Sequence, residues 1–132
     1  MKVVQVSGKR KRAVARARLK EGKGVVRLNS LVLESVTPQL AKLMIMEPIV
    51  LAGDAAKNID IEIHVQGGGW HSQAEAARLV VARALVQHSG SKALKQKFLD
   101  YDRHLLVADT RRAEHSKPND SKPRAARQKS YR

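Results

Sequence analysis

The fold class this sequence predicts is α+β, and three stretches predict it. Residues 59–66, Ile-Asp-Ile-Glu-Ile-His-Val-Gln, alternate β-branched and polar side chains, the period of a strand with one covered face. Residues 72–88 repeat apolar side chains at helical spacing. Residues 12–19 alternate again, and a return strand at 25–28 follows a glycine-containing turn. With 132 residues the chain has room for one core.

From the N-terminus, Val3, Val4 and Val6 predict a short strand ended by Ser7-Gly8. Arg12, Val14, Arg16 and Arg18 then share one side of an extended segment, with Ala13, Ala15, Ala17 and Leu19 on the other. That spacing sets the guanidinium groups about 7 Å apart along one face. Ala, Arg, Leu and Lys favour helix, but the turn Lys20–Gly24 and the strand Val25–Leu28 favour a hairpin. Leu31–Leu33 reads as a short extended piece. Thr37-Pro38 predicts a helix start, with Thr37 as N-cap, and Glu47-Pro48 its stop. A polar loop, 53–58, leads to the strand 59–66 and to Gly67-Gly68-Gly69. In the next helix Ala77, Val80, Val81, Ala84, Leu85 and His88 form one stripe, with Ser72 and Glu75 spaced as a capping box. Ser89-Gly90 ends it. A third helix, 92–99, buries Leu94 and Phe98, and Leu105–Val107 predicts a last strand.

Beyond Ala108 there is no Val, Leu, Ile, Met, Phe or Trp, so the expected organisation is a body, 1–108, and an extended basic tail, 109–132. Fully extended, that tail reaches roughly 80 Å. Net charge is +14, unevenly spread: +8 over residues 1–24, +1 over 25–108 and +5 over 109–132. A near-neutral body with two cationic ends implies a polyanionic partner, since such dense like charge repels itself. The chain has no cysteine, so disulfides and thiolate metal sites are excluded. No apolar run exceeds four residues and the N-terminus lacks a signal-peptide core, so neither a membrane span nor a leader is expected.

The basic run from Lys9 through Arg10, Lys11, Arg12, Arg16 and Arg18 is a candidate phosphate clasp; a solvated face is the duller alternative. Gly67, Gly68 and Gly69 precede a helix N-terminus, which suits either a phosphate or a tight strand-to-helix turn. Neither the dinucleotide fingerprint nor the P-loop pattern is completed. Arg78 and Arg83 lie roughly 140° apart around their helix and need not serve one patch. The five histidines have no metal-ligand spacing, and no nucleophile elbow occurs, so neither metal, cofactor nor catalytic residue is expected. The end of the tail, with Tyr131 among its cations, suits either an idle terminus or one that threads into RNA.

Three motifs carry a family likeness. They are Ser7-Gly8-Lys9-Arg10-Lys11 with Ala13-Val14-Ala15-Arg16-Ala17; Gly67-Gly68-Gly69 with Gln73, Ala74, Ala77, Arg78 and Arg83-Ala84-Leu85; and Gln128-Lys129-Ser130-Tyr131-Arg132. In this order and spacing the chain resembles the universal small-subunit ribosomal protein S-nine family, in its archaeal/eukaryotic-like branch, over essentially its whole length. The resemblance implies a mixed β-sheet packed against helices, of the ribosomal protein S-five second-domain type with a left-handed β-α-β crossover. It implies a structural, non-enzymatic place in the head of the small subunit, ribosome-bound in the cytoplasm. The partners would be small-subunit ribosomal RNA, peptidyl-site tRNA and neighbouring ribosomal proteins, with no membrane and no small-molecule substrate. Ribosomal-RNA contact falls on the N-terminal run named above, on the three glycines with His71 and Gln73, on Arg78 and Arg83, and on Arg111, Arg112, Arg124 and Arg127. Approach to tRNA falls on Lys129, Ser130, Tyr131 and Arg132, with Arg132 as the phosphate contact. Relatives of this kind often carry a Gly/Arg-rich stretch before the closing motif; residues 117–127 have Asp120 and no glycine, which leaves the tail's middle path open. Two other functions compete: a protein subunit of an RNA-processing enzyme, and a non-specific basic nucleic-acid binder.

Overall fold

Alternation decides the two longest strands. In a computed structural model that describes residues 2–118 and 122–124, β2 (Ala13–Glu21) buries Ala13, Ala15, Ala17 and Leu19. Strand β5 (Ile59–Gln66) buries Ile59, Ile61, Ile63 and Val65. The two lie antiparallel with Ala15 opposite Val65 and Ala17 opposite Ile63, so small residues face larger ones over much of the ladder, while Leu19 meets Ile61. On the outer side β1 (Val4–Arg10) runs antiparallel to β2. Beyond β5 comes β3 (Val26–Leu28), parallel to it, and then β4 (Leu31–Val32), antiparallel to β3. The result is a mixed five-stranded sheet in the order β1-β2-β5-β3-β4.

Helix α2 (Trp70–Ser89) covers one face of this sheet, crossing β1, β2 and β5. It comes close because the surface beneath it is small: a Cβ added at Gly8 would meet Val80 Cγ1 at 2.9 Å. Helix α1 (Gln39–Ala52) packs against α2, and α3 (Lys92–Tyr101) closes one end by burying Phe98 completely. In contact with the sheet and with both other helices, α2 buries nine residues, including Ala76, Leu79 and Ala82, which a single stripe would not. Among the described residues, the other sheet face carries no helix.

Several sequence expectations are corrected. Strand β1 runs through Ser7-Gly8 to Arg10 because α2 needs a glycine there, and the chain reverses at Lys11-Arg12, with Lys11 left-handed at φ 53°. The hairpin partner of β2 is therefore β1, not β3. The turn after Glu21 exists, but it carries the chain over the end of β5, whose Asp60 accepts from the backbone N–H groups of Lys23 (2.8 Å) and Val25 (3.0 Å). Helix α1 starts one residue late, with Pro38 at the cap and no side-chain cap bond from Thr37, and it runs through Pro48. A proline inside a helix costs about 3 kcal/mol, through the lost hydrogen bond and the clash of its ring with the preceding turn; continuing buries Pro48 itself and much of Ile49 and Leu51, at about 1.5–3 kcal/mol per fully buried side chain. Gly69, not Ser72, caps α2, and Glu75 turns to Arg10 instead of back to Ser72. Leu105–Val107 is not a strand: Asp102 accepts from the His104 N–H at 2.9 Å and starts a 3-10 turn, Arg103–Leu105.

Candidate nucleic-acid interface

The period of two in β2 turns Arg16 and Arg18 onto the helix-free face. Register sets Arg16 between Ser7 and His64, and Arg18 between Gln5 and Glu62. Glu62 in turn faces Arg27 on β3. These side chains line a shallow groove of about 610 Å³ across the sheet, shared by Arg16, Arg18, Arg27, Glu62, His64 and the loop residues Asn29 and Ser30. Glu62 accepts from Lys20 Nζ at 3.0 Å, and that bond, with Arg18 and Arg27 nearby, lowers its pKa. Asp60 is lowered as well, by the N–H groups of Val25 and Lys23. The carboxylates thus stay ionised and space the cations. Among the described residues, the guanidinium groups of Arg16, Arg18 and Arg27 have no hydrogen-bond or ion-pair partner.

Other cations expected at the interface are occupied within the protein. Arg10, 11% exposed, donates from Nε to Glu75 Oε2 at 2.8 Å, and its Nη2 lies 3.4 Å from Asp109 Oδ2. Arg78, 13% exposed, donates to Glu47 Oε2 (2.6 Å) on α1 and to Asp102 Oδ2 (3.1 Å) after α3. Arg83 donates to the carbonyl oxygens of Leu106 (2.9 Å) and Ser7 (3.4 Å). Arg111 grips Asp109, with 2.7 Å between Nη2 and Oδ2, while its side chain stays largely exposed. Arg124 donates to Glu114 at 3.2 Å. Lys9, Arg16, Arg83 and Arg112 come together around a second cavity of about 480 Å³, between β1 and the segment 108–112. Lys11 and Arg12 stand exposed at the hairpin tip.

The glycine loop is held from within. Gly67 (φ 78°) and Gly68 (φ 66°) are left-handed, and a Cβ at Gly67 would sit 2.7 Å from the Arg12 carbonyl oxygen. A tight turn therefore explains these two, while Gly69 has open space around it. Gln73 steadies the loop through Nε2 to the Gly67 carbonyl at 3.1 Å. His71 is exposed beside it, its Nδ1 3.8 Å from Glu75. Arg127, Lys129, Ser130, Tyr131 and Arg132 lie outside the described residues. Sequence reasoning missed Arg27 as a partner of Arg16 and Arg18. Its signal was present, since Val26 and Leu28 flank it as inward neighbours, but β3 was set beside the wrong strand.

Among the described residues no cluster of His, Asp or Glu is arranged to hold a metal ion, and no helix is long and apolar enough to cross a membrane. A small mixed-sheet body that gathers three unpaired arginines, Arg16, Arg18 and Arg27, on its helix-free face belongs to the class of basic α+β proteins. The particular family follows from comparison: the profile of the ribosomal protein S9/S16 family matches residues 8–132, and the chain belongs to that family of structural, non-enzymatic proteins. It is 52% identical to the small ribosomal subunit protein uS9 of Methanococcus maripaludis (strain C7), with 100% of both chains covered. Its identity to the uS9 protein of Methanococcus vannielii is 48%, again over 100% of each.

Proposed function

We propose that this protein is a structural constituent of the small ribosomal subunit, ribosome-bound in the cytoplasm, that binds small-subunit ribosomal RNA through the helix-free sheet face and the adjoining edge of β1. One observation carries the reading: Arg16, Arg18 and Arg27 converge on one groove while most other arginines of the described body are tied down. Phosphodiester oxygens are the complement of such a set, since guanidinium forks bind them with charge-assisted hydrogen bonds. Lys9 and Arg112 extend the surface along the sheet edge, and Lys11 and Arg12 extend it past the hairpin tip. The groove is lined by no Phe, Tyr or Trp and by a single aromatic ring, that of His64, so recognition rests mainly on backbone phosphates and shape rather than base stacking.

The finer parts of the reading follow family membership. The sheet has the S-five second-domain topology with its left-handed crossover. The body, 1–108, sits in the subunit head against neighbouring ribosomal proteins, and the tail, 109–132, runs toward the peptidyl site. There Lys129, Ser130, Tyr131 and Arg132 meet the tRNA. Deleting those four residues leaves the core of the described body complete, so folding and ribosomal-RNA incorporation should stay intact while retention of peptidyl-site tRNA weakens. Failure to assemble would show that the tail end serves the RNA scaffold instead.

A salt titration of the purified chain on small-subunit ribosomal RNA tests the main claim. The expected log–log slope is about −0.7 to −0.9 for each phosphate neutralised. Near salt-independent binding would sink it. Equal affinity for duplex DNA would favour a non-specific binder, and unaided cleavage of RNA would favour a processing enzyme.

A further inference from the structure

The geometry points to Asp109, held by Arg10, as the positioning residue that sets the direction in which the C-terminal segment leaves the body. Two tethers three residues apart define that direction. The first is at Leu106, whose carbonyl oxygen accepts from Arg83 Nε at 2.9 Å while the same guanidinium reaches the Ser7 carbonyl on β1. The second is at Asp109, whose carboxylate lies 3.4 Å from Arg10 Nη2 at the end of β1. One tether alone would leave the chain free to swivel; a second fixes its heading.

Asp109 also bends the chain it fastens. Its Oδ1 accepts from the Arg111 backbone N–H at 3.0 Å, closing a local turn, and its carboxylate takes the Arg111 side chain from Nε at 3.0 Å and from Nη2 at 2.7 Å. Arg111 thus supplies most of what keeps the carboxyl far below the ordinary aspartate range, and the group is ionised throughout the neutral region. Both members of the tether are largely covered, with side chains 11% and 13% exposed, so salt screens their attraction less than it would a surface pair. Arg10 is itself immobilised by Glu75 on α2, so Asp109 docks onto a fixed cation rather than a swinging one. The consequence is that Arg112 arrives beside Lys9 and Arg16 around one cavity, joining the base of the tail to the cationic sheet edge.

This inference concerns the free chain and stands apart from RNA binding, so either can fail alone. The absence of cysteine makes a direct test simple: Gln87→Cys and Ala113→Cys, both exposed, take a pair of spin labels for distance measurement in the full-length protein without RNA. The parent pair gives one narrow distance distribution. Asp109→Ala loses the narrow peak and speeds hydrogen exchange at the Arg111 amide by about tenfold, the loss of one charge-assisted bond. Its unfolding midpoint stays within about 2 °C of the parent, because no core contact is removed. Asp109→Asn keeps an acceptor for the turn but loses the charge, and it broadens the distribution as well. A parent distribution already as broad as that of Asp109→Ala overturns the proposal. So does a narrow one in Asp109→Asn, which would leave Arg10 without a part. A clear drop in the unfolding midpoint would make Asp109 a piece of the fold and not a guide for the tail.

Discussion

The arginines of α2 and those of β2 stand in equally persuasive motifs, yet they have opposite fates. Arg78 and Arg83 lie on the helix and point into the protein, one between two carboxylates and the other onto backbone carbonyls. Arg16 and Arg18 lie on the strand and point out over the helix-free face. The helix is enclosed by α1, α3 and the sheet, so a cation there must find an internal partner or remain a buried charge. The strand has one face against α2 and one open, and alternation sends every second residue outward. Whether an arginine is available to a ligand is decided by the layer it lies in, not by the motif that contains it.

Arg78→Ala should show the largest effect. It leaves Glu47 and Asp102, each about a third exposed, without their shared cation, at a cost of about 2 kcal/mol, read as a lower urea midpoint at unchanged slope. Ribosomal-RNA affinity, corrected for the unfolded fraction, should hardly move. A stable Arg78→Ala protein with weakened RNA binding would erase the division between the two sets. The converse variant is Arg16→Ala with Arg18→Ala and Arg27→Ala. Its stability stays within about 0.5 kcal/mol of the parent, while RNA affinity falls roughly fiftyfold and the salt slope becomes shallower by about two. Unchanged affinity would move the RNA surface away from the sheet.

What could be read from the sequence follows the same line. The alternation of β2 and β5, the length of α2 and the inward Phe98 are local patterns with enough repeats to be unambiguous. The order of strands was not legible, because the turn after Glu21 looks the same whether the chain returns beside β2 or passes over the end of β5. Nor were the partners of Arg78, which come from 31 residues before it and 24 after. Pro48 misled because its local cost is certain, while the burial that outweighs it depends on α2 being there to pack against.

The glycine loop divides in a similar way, on a smaller scale. Gly67→Ala must hold a left-handed φ of 78° and set a methyl group 2.7 Å from the Arg12 carbonyl oxygen, so it should lose about 1–2 kcal/mol and disturb the hairpin tip. Gly69→Ala meets nothing within 4 Å and keeps an ordinary φ of −92°, so its loss should stay within about 0.5 kcal/mol. Amide chemical shifts at Lys11 and Arg12 would report the difference. Equal losses at both positions would mean that the α2 cap, rather than the contact with Arg12, governs the loop.

The smallest effect is one of pH, and it separates the two sets of arginines once more. Burial pushes the Asp102 carboxyl up, but the His104 N–H and the Arg78 guanidinium outweigh it, leaving the folded pKa below the usual 3.8. A group depressed on folding contributes stability that is complete above its unfolded pKa and disappears as pH falls through the folded one. The stability gap between the parent and Arg78→Ala should therefore be level from pH 8 to about pH 5 and narrow only below about 3.8 as Asp102 takes up its proton. For the Arg16, Arg18 and Arg27 variant the corresponding gap should be near zero throughout, since only the half-exposed Glu62 feels Arg18 and Arg27, and Lys20 already satisfies it. Denaturant melts at half-unit pH steps would resolve the two curves. A narrowing that begins near neutrality would assign the Arg78 contribution to a group other than Asp102.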